Sequence, residues 1–160
     1  MARRKRELDR IQVGPDPVYG SELVQRLVNV IMERGKKNIA RNIVYGTIDI
    51  LAKKSQGDKT KALEFFNKAF WQIVPAIEVR SRRVGGGVYQ IPREVTRGRG
   101  CSLAMRWLIE AASERPGKNM QQRLANELMD AYEGRGSAIK KKTDVHKMAE
   151  ANRAFSHYAW

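Results

Sequence analysis

Residues 76–95 read AIEVRSRRVGGGVYQIPREV, and this stretch decides the fold because its periodicity differs from that of the rest of the chain. Apolar residues alternate with polar or charged ones on both sides of the glycines at 85–87. Two such runs around a glycine cluster predict a β-hairpin. Pro92 cannot donate a ladder hydrogen bond, but both strands of a two-stranded ribbon are edges and tolerate it. Because an isolated ribbon is marginal in water, we expect it to project from a body and to be steadied by a ligand.

The sequence before the hairpin has the periodicity of three helices. The first begins near Ser21 and ends at Gly35, and the second ends near residues 55–57. Asp58 is expected to cap the third helix, and Pro75 to end it. The residues predicted to face inward are Leu23, Val24, Leu27, Val28 and Ile31, then Ile39, Ile43, Val44, Ile48 and Leu51, then Ala62, Leu63, Phe66, Ala69, Phe70, Ile73 and Val74.

Helical periodicity returns after the hairpin. A fourth helix is predicted from near Cys101 to Pro116, and a fifth ends at Gly134. A polar helical stretch then runs past Lys147 to Arg153. The apolar stripes of the fourth and fifth helices are Leu103, Ala104, Trp107, Leu108 and Ala111, and Met120, Leu124, Leu128 and Tyr132.

These elements predict a mainly α fold of about six helices with a protruding two-stranded β-hairpin and basic extensions at both ends. The length of 160 residues fits one domain. Its expected parts are a basic extended arm at 1–19, three helices at 20–75, the hairpin at 76–96, two helices at 100–133 and a basic helix and tail at 134–160.

The formal net charge of +14 is concentrated in three short segments. Residues 1–10, 76–100 and 134–160 carry +3, +4 and +4, which leaves only +3 for the remaining residues. A nearly neutral body with basic appendages suits a protein that binds a polyanion, and the arginine clustering favours nucleic acid over a generally basic surface. No apolar run approaches the roughly 18 residues of a membrane span, and we expect no secretory leader. The single cysteine, Cys101, excludes an internal disulfide and fits a reducing compartment.

The hairpin carries the strongest candidate binding residues. Arg80 and Arg82 share one face of the first predicted strand, and Arg83 points to the other. The arginine fork binds phosphate through two hydrogen bonds and stacks on bases. Tyr89 has two interpretations, because it can stack on a base or pack on the body. The glycine cluster lacks the lysine spacing and the strand-to-helix context of a nucleotide-binding loop.

Lys36 and Lys37 follow Gly35 at the predicted start of the second helix. Two lysines at a helix N-terminus are mildly unfavourable by themselves, because they add to the positive end of the helix dipole. A phosphate at this position would meet both lysines and the free backbone N–H groups. The alternative is an accidental pair that is tolerated at the surface.

The sequence offers no recognisable catalytic or metal-binding pattern. His146, His157 and Cys101 do not supply a zinc-ligand spacing. We therefore predict a binding protein with no catalytic residues, no cofactor, no metal and no small-molecule substrate. Two rival functions remain open: an architectural DNA-binding protein whose ribbon enters a minor groove, and an RNA-modifying enzyme, which needs a cofactor site or a catalytic pair.

Five stretches together carry a family resemblance. They are PDPVYG at 15–20, MERGKKNIARNIVYG at 32–46, EVRSRRVGGGVYQIPREV at 78–95, LAMRWLIEAA at 103–112 and RLANELMDAYEGRGSAIKKKTDVHKMAEANRAFSHYAW at 123–160. In this order, and over essentially the whole chain, the sequence closely resembles the bacterial-type small-subunit ribosomal protein seven family.

The resemblance implies a constituent of the small ribosomal subunit, in the cytoplasm or in an organellar ribosome. It implies binding to the 3′ major domain of small-subunit ribosomal RNA early in assembly of the subunit's head. In such proteins the N-terminal arm, the basic helix starts and the ribbon base meet the RNA. We add two arginines from the Gly-rich loop after the hairpin, so the expected rRNA-binding residues are Arg3, Arg4, Lys5, Arg6, Lys36, Lys37, Arg80, Arg82, Arg83, Arg97 and Arg99.

The resemblance also implies that the ribbon tip and the C-terminal helix approach the exit-site tRNA and the mRNA exit path. Carried over to this sequence, the residues near those ligands are Gly85, Gly86, Gly87, Tyr89, Lys147 and Arg153. The C-terminal segment is implied to lie near ribosomal protein eleven. No membrane partner is expected.

Overall fold

The computed structural model describes residues 13–54 and 57–158. Three helices precede an antiparallel ribbon, and three helices and a short 3₁₀ helix follow it. The elements are α1 (Glu22–Ile31), α2 (Lys37–Lys54), α3 (Lys59–Ile73), β1 (Ile77–Val84), β2 (Gly87–Glu94), α4 (Arg97–Glu114), α5 (Met120–Tyr132), α6 (Ser137–Ala151) and the C-terminal 3₁₀ helix (Arg153–Tyr158). The predicted fold class, mainly helical with a two-stranded hairpin, is confirmed.

The apolar stripes of α1 to α5 pack into one core. Its largest fully buried side chains include Phe66, Phe70, Ile48, Leu108 and Leu124, all of which the periodicity places inward. Full burial of such a side chain is worth about 1.5–3 kcal/mol. This core gives the ribbon and the basic segments a rigid base.

Local signals set the starts of α1 and α3 and the end of α3 as expected, but α1 ends at Ile31, four residues before the Gly35 that was expected to end it. The Asp58 carboxylate accepts hydrogen bonds from the Thr60 hydroxyl (2.8 Å) and the Thr60 N–H (2.9 Å) at the start of α3, and these lower the pKa of that carboxyl. The Ser21 hydroxyl accepts from the Val24 N–H at the start of α1. Pro75 follows the end of α3 and separates it from β1. The chain therefore leaves the core for the ribbon where proline ends the helix.

The ribbon pairs Ile77 with Glu94 at its base and Val84 with Gly87 at its tip. Gly85 and Gly86 both have positive φ, +57° and +92°. Two such residues between paired strands make the tight turn that matches the twist of a hairpin, and glycine adopts it without strain. Gly87, expected in the loop with them, is the first residue of β2.

The ribbon is steadied by the protein's own C-terminal segment. The helix α6 packs against both strands, and the C-terminal 3₁₀ helix packs against β2. The ring of Tyr89 lies 4.9 Å from the ring of Phe155, measured between centroids. Two basic segments that are far apart in sequence, 76–100 and 134–160, therefore form one structural unit.

A buried carboxylate joins α5 to α6. Glu127 is fully buried and accepts hydrogen bonds from the Arg115 Nε–H and, at 2.9 Å, from the Ala138 N–H in the first turn of α6. Gly136 precedes that turn with φ +100°, and a Cβ on it would lie 2.8 Å from the Glu127 Oε1. The start of α6 thus requires both the carboxylate and the glycine.

Three further expectations about the helices are wrong. Tyr132 was placed in the apolar stripe of the fifth helix but is 40% exposed, because it is the last residue of α5. Ile39 was expected to face inward but is exposed, because it precedes the buried Ala40 by one residue and so lies about 100° around α2 from the buried stripe.

The fourth helix begins at Arg97 rather than near Cys101. Its first turn is closed by the Gly100 N–H, which donates to the Thr96 carbonyl (2.9 Å), and a Cβ on Gly100 would lie within 3.2 Å of the Pro75 carbonyl oxygen. Close packing against the end of α3 therefore outweighs the low helix propensity of glycine.

Candidate nucleic-acid interface

The ribbon base holds a cluster of one buried carboxylate and two arginines. Glu78, on β1, accepts a hydrogen bond of 2.8 Å from the Arg80 Nε–H and one of 3.1 Å from the Arg99 Nε–H of α4. The Glu78 side chain is only 10% exposed, whereas those of Arg80 and Arg99 are 54% and 43% exposed. The carboxylate therefore lies beneath two guanidinium groups and binds each by its Nε edge.

This arrangement leaves the outer edges of both guanidinium groups facing solvent. Within residues 13–54 and 57–158, the Nη groups of Arg80 and Arg99 make no hydrogen bond. Each arginine carries further N–H donors beyond the one that Glu78 accepts. Charge-assisted hydrogen bonds to phosphate are roughly twice as strong as neutral ones. We name these three residues the Glu78 cluster, and their remaining N–H donors make it a candidate anion-binding arrangement.

The three arginines of β1 do not act as one group. Arg80 belongs to the Glu78 cluster. Arg82 donates from Nη1 to the Tyr158 carbonyl oxygen (3.1 Å) and so contacts the C-terminal 3₁₀ helix. Arg83 is exposed on the opposite face, across from Val88. Of the two interpretations of Tyr89, the packing against Phe155 favours contact with the protein over stacking on a base.

The sequence interpretation placed Arg97 and Arg99 in a loop, but both lie in the first turn of α4. The Arg97 guanidinium lies 4.8 Å from the centroid of the Trp71 ring. Sequence reasoning missed both Trp71 and Glu78. The available signals were the position of Trp71 outside the apolar stripe of α3 and the acidic residue inside an arginine-rich strand.

Lys36 and Lys37 lie where they were expected, at the start of α2, and both are exposed. The preceding turn includes Gly35 and Arg34 with positive φ, +75° and +50°. Lys37 and Arg41 line a cleft of about 360 Å³ beside the lead-in turn at residues 13–17. The Arg41 Nε is buried and makes no hydrogen bond to any residue in the described ranges.

The lead-in turn is held by a buried aspartate. Asp16 is 1% exposed, and its carboxylate accepts hydrogen bonds from the Val18 and Tyr19 N–H groups and from the Tyr45 hydroxyl (2.7 Å). Burial, followed by this hydrogen bond and the aspartate charge, raises the pKa of Tyr45 to about 12. These contacts fix the point at which the N-terminal segment leaves α1 and α2. The arm residues Arg3, Arg4, Lys5 and Arg6 lie outside the described residues.

The C-terminal basic segment has both exposed and engaged lysines. Lys147 and Arg153 are exposed. Lys141 forms an ion pair of 2.6 Å with Glu110 of α4, and Lys142 donates to the Gln72 carbonyl oxygen of α3, also at 2.6 Å. Burial lowers the pKa of the Lys142 ammonium.

His146 faces the ribbon from α6. Its Nε2 accepts a hydrogen bond of 3.3 Å from the Ala76 N–H, immediately before β1. Burial and, secondarily, the charge of Lys142 lower the pKa of this imidazole. The neutral histidine therefore helps to attach the start of the ribbon to α6.

Metal-binding and membrane-spanning features are absent from the part of the chain that the structure describes. There, no group of three or more His, Cys, Asp or Glu side chains is arranged to hold a metal ion. No helix among those residues is long and apolar enough to cross a membrane.

Comparison with known proteins identifies the family. A family model described as ribosomal protein S7p/S5e matches residues 2–153. The chain is 52% identical over 157 residues to the small ribosomal subunit protein uS7 of Thermotoga neapolitana, covering 98% of this chain and 99% of that protein. The uS7 protein of Colwellia psychrerythraea gives the same identity and coverage, and that of Fervidobacterium nodosum is 53% identical over 158 residues, 99% of each chain.

The predicted family is thereby confirmed over nearly the whole chain. Because proteins of this family are not enzymes, the RNA-modifying enzyme is excluded as a rival function. Ribosomal and RNA-binding roles are those of the family, so the nucleic acid with which the chain associates is ribosomal RNA. The chain belongs to the ribosomal protein S7p/S5e family, the structural, non-enzymatic proteins of the small ribosomal subunit.

Proposed function

We propose that this ribosomal protein binds the 3′ major domain of small-subunit rRNA as a single domain and holds a junction of RNA helices in the arrangement that the subunit's head requires. The observation that carries the proposal is the Glu78 cluster. It lies where the ribbon meets α4, so the two guanidinium groups have fixed positions relative to the helical core. Fixed cations on a rigid base recognise the shape of a folded polyanion, whereas mobile lysines provide attraction alone.

The recognition acts mainly through phosphate and shape. Base edges in an A-form helix lie in a deep and narrow major groove that side chains do not read. Arg80 and Arg99 at the ribbon base, Arg83 on the other face of the ribbon, and Lys36 and Lys37 at the start of α2 supply separate exposed cationic positions. Separate positions suit an RNA junction, because several helices of the RNA meet the protein at once. The arm at 1–19 adds its arginines to the same interaction.

The distal ribbon and α6 serve a second part of this function. We propose that the tip at Gly85 and Gly86, with Lys147 and Arg153, lies beside the exit-site tRNA and the mRNA exit path, and that the C-terminal segment contacts ribosomal protein eleven. The tip supports this role because it exposes backbone without side chains, which permits close approach to a ligand. The packing of α6 and the C-terminal 3₁₀ helix against the strands supports it too, because a steadied ribbon holds its tip in place.

Competitive binding tests the rRNA proposal. The full chain is titrated with a 3′ major-domain rRNA fragment against duplex DNA and tRNA at about 0.2 M salt, where non-specific electrostatic binding is weak. We expect the rRNA fragment to win, and the double variant Arg80→Ala/Arg99→Ala to weaken that binding. The matched control is Lys59→Ala/Lys61→Ala, which removes the same charge from exposed positions in the first turn of α3. Equal affinity for the three polyanions, or equal losses in the two double variants, would refute the proposal.

A further inference from the structure

Trp71 is an exposed aromatic residue held at a fixed angle. It lies on α3 outside the buried stripe and is 41% exposed. Its ring meets the ring of the fully buried Phe70 edge-on, with centroids 6.0 Å apart and an interplanar angle of 74°. The Arg97 guanidinium covers the ring at 4.8 Å from its centroid. A rigid aromatic ring paired with a planar cation is thus presented to solvent.

This pair borders a cleft of about 490 Å³ among α1, α3 and α4. Leu23 and the buried Cys101 contribute apolar surface, whereas Arg26 and Glu22 are charged. The volume lies within the range of about 300–1,000 Å³ that is typical of small-ligand sites. Arg26 and Glu22 form an exposed ion pair of 3.5 Å, and exposed pairs of this kind are weak. Arg26 can therefore exchange its carboxylate for a phosphate at little cost.

We propose that this cleft binds one unpaired nucleotide of RNA, with its base against the Trp71–Arg97 pair and its phosphate beside Arg26. The proposal rests on the proposed function, because it places a second RNA contact on the same protein. Single-stranded loops and bulges present unstacked bases, and proteins take these bases on aromatic rings or guanidinium planes. Two arginines, Arg26 and Arg97, and one carboxylate, Glu22, line the cleft, so its net charge is positive and favours an anionic ligand. For this reason we choose a nucleotide over an apolar protein side chain as the occupant.

Tryptophan fluorescence tests the cleft directly. In the full chain carrying Trp160→Phe, the emitting residues are the exposed Trp71 and the largely buried Trp107. Base stacking quenches indole emission, so we expect saturable quenching by a hexaadenylate oligonucleotide. The matched control carries Trp71→Phe as well and should show almost none. Absence of quenching, or equal quenching in the two proteins, would overturn the inference.

Affinity for the 3′ major-domain fragment gives a second readout. Stacking needs an aromatic ring rather than apolar bulk, so Trp71→Phe should keep most of the affinity. Trp71→Leu should lose about 5- to 150-fold, the range for removal of one stacked base. Because Trp71 is an exposed surface residue, both variants should fold, which circular dichroism checks.

The outcomes separate this inference from the proposed function. If Trp71→Leu binds the fragment as the wild type does, while Arg80→Ala/Arg99→Ala weakens binding, the nucleotide cleft is wrong and the proposed function stands. If hexaadenylate quenches Trp71 while the protein shows no preference for the rRNA fragment, the cleft is a nucleotide site and the proposed rRNA target is wrong.

Discussion

Replacing Glu78 by glutamine separates two contributions of a basic surface to RNA binding, its charge and the positions of its guanidinium groups. The substitution raises the net charge of the chain by one, so charge alone predicts tighter binding. It also removes the carboxylate that accepts from the Arg80 and Arg99 Nε–H groups at 2.8 and 3.1 Å. Without that carboxylate the two guanidinium groups are no longer held in place, which predicts weaker RNA binding. The two explanations therefore differ in sign.

The expected free energies favour the second explanation, in which the guanidinium groups of Arg80 and Arg99 lose their fixed positions. Ordering a long side chain at an interface costs about 0.5–1.5 kcal/mol, so two freed arginines lose about 1–3 kcal/mol of binding free energy. Removing the carboxylate gains at most about 1 kcal/mol for a phosphate 4 Å away in water, and salt screens that gain. Because the glutamine amide oxygen still accepts from one arginine, we expect affinity to fall by about 3- to 10-fold. The free energy of unfolding should fall by about 1–2 kcal/mol, since both arginines are half-exposed and water replaces their lost partner.

The assay is competitive binding to the 3′ major-domain fragment at about 0.2 M salt. Glu94→Gln is the matched control, because Glu94 lies at the same end of the ribbon, is exposed, and forms no ion pair with another described residue. That variant should bind as tightly as the wild type or slightly more tightly. If Glu78→Gln binds as tightly as Glu94→Gln does, the carboxylate does not position the arginines for RNA and the reasoning fails.

Three further predictions concern stability in urea. Gly136→Ala should lower the free energy of unfolding by about 1–3 kcal/mol, because it forces a side chain into a left-handed conformation beside a buried carboxylate; a change below 0.5 kcal/mol would contradict this. For Tyr45, whose folded pKa is raised to about 12, the stabilisation by the neutral hydroxyl is complete below about 10, the ordinary pKa of tyrosine in the unfolded chain, and is lost as pH rises through 12. The stability difference between wild type and Tyr45→Phe should therefore shrink over that interval. For His146, whose folded pKa is lowered, the unfolded chain binds the proton more readily, so stability should fall as pH drops below about 6.5, the ordinary pKa of histidine. His146→Gln should lose this dependence.

Periodicity was sufficient for the hairpin and for most positions of the helical stripes because those patterns are local, although it included the exposed Ile39 and Tyr132. Apolar and polar residues alternate on both sides of the glycines at 85–87, and this pattern predicted the tight turn. The Asp58 carboxylate caps α3, as its side-chain chemistry predicts. The start of α4 was missed because two glycines in the segment argue against a helix. Gly100 is helical only because its lack of a side chain lets α4 pack against the end of α3, a contact that no local window contains.

The candidate site was predictable in residue type but not in arrangement. Arginine clustering in the ribbon singled out Arg80 correctly as a strand residue with solvent exposure. Its partner Arg99 is 19 residues further along the chain, and Glu78 joins the two only after the ribbon has packed on α4. The pairing of Trp71 with Arg97 depends on the packing of α3 and α4 in the same way. Long-range packing, not composition, decides which cations act together.

Composition also overstates how much of the basic C-terminal segment can meet RNA. Lys141 and Lys142 are adjacent and equally basic, yet one is paired with Glu110 and the other donates to a carbonyl of α3. Those contacts hold α6 on the helical core, and α6 in turn packs against the ribbon. Part of the positive charge thus serves the fold, because it keeps the ribbon in a fixed position relative to the core. At Glu78, likewise, an acidic residue that lowers the net charge holds in place the two arginines on which the proposed RNA contact rests.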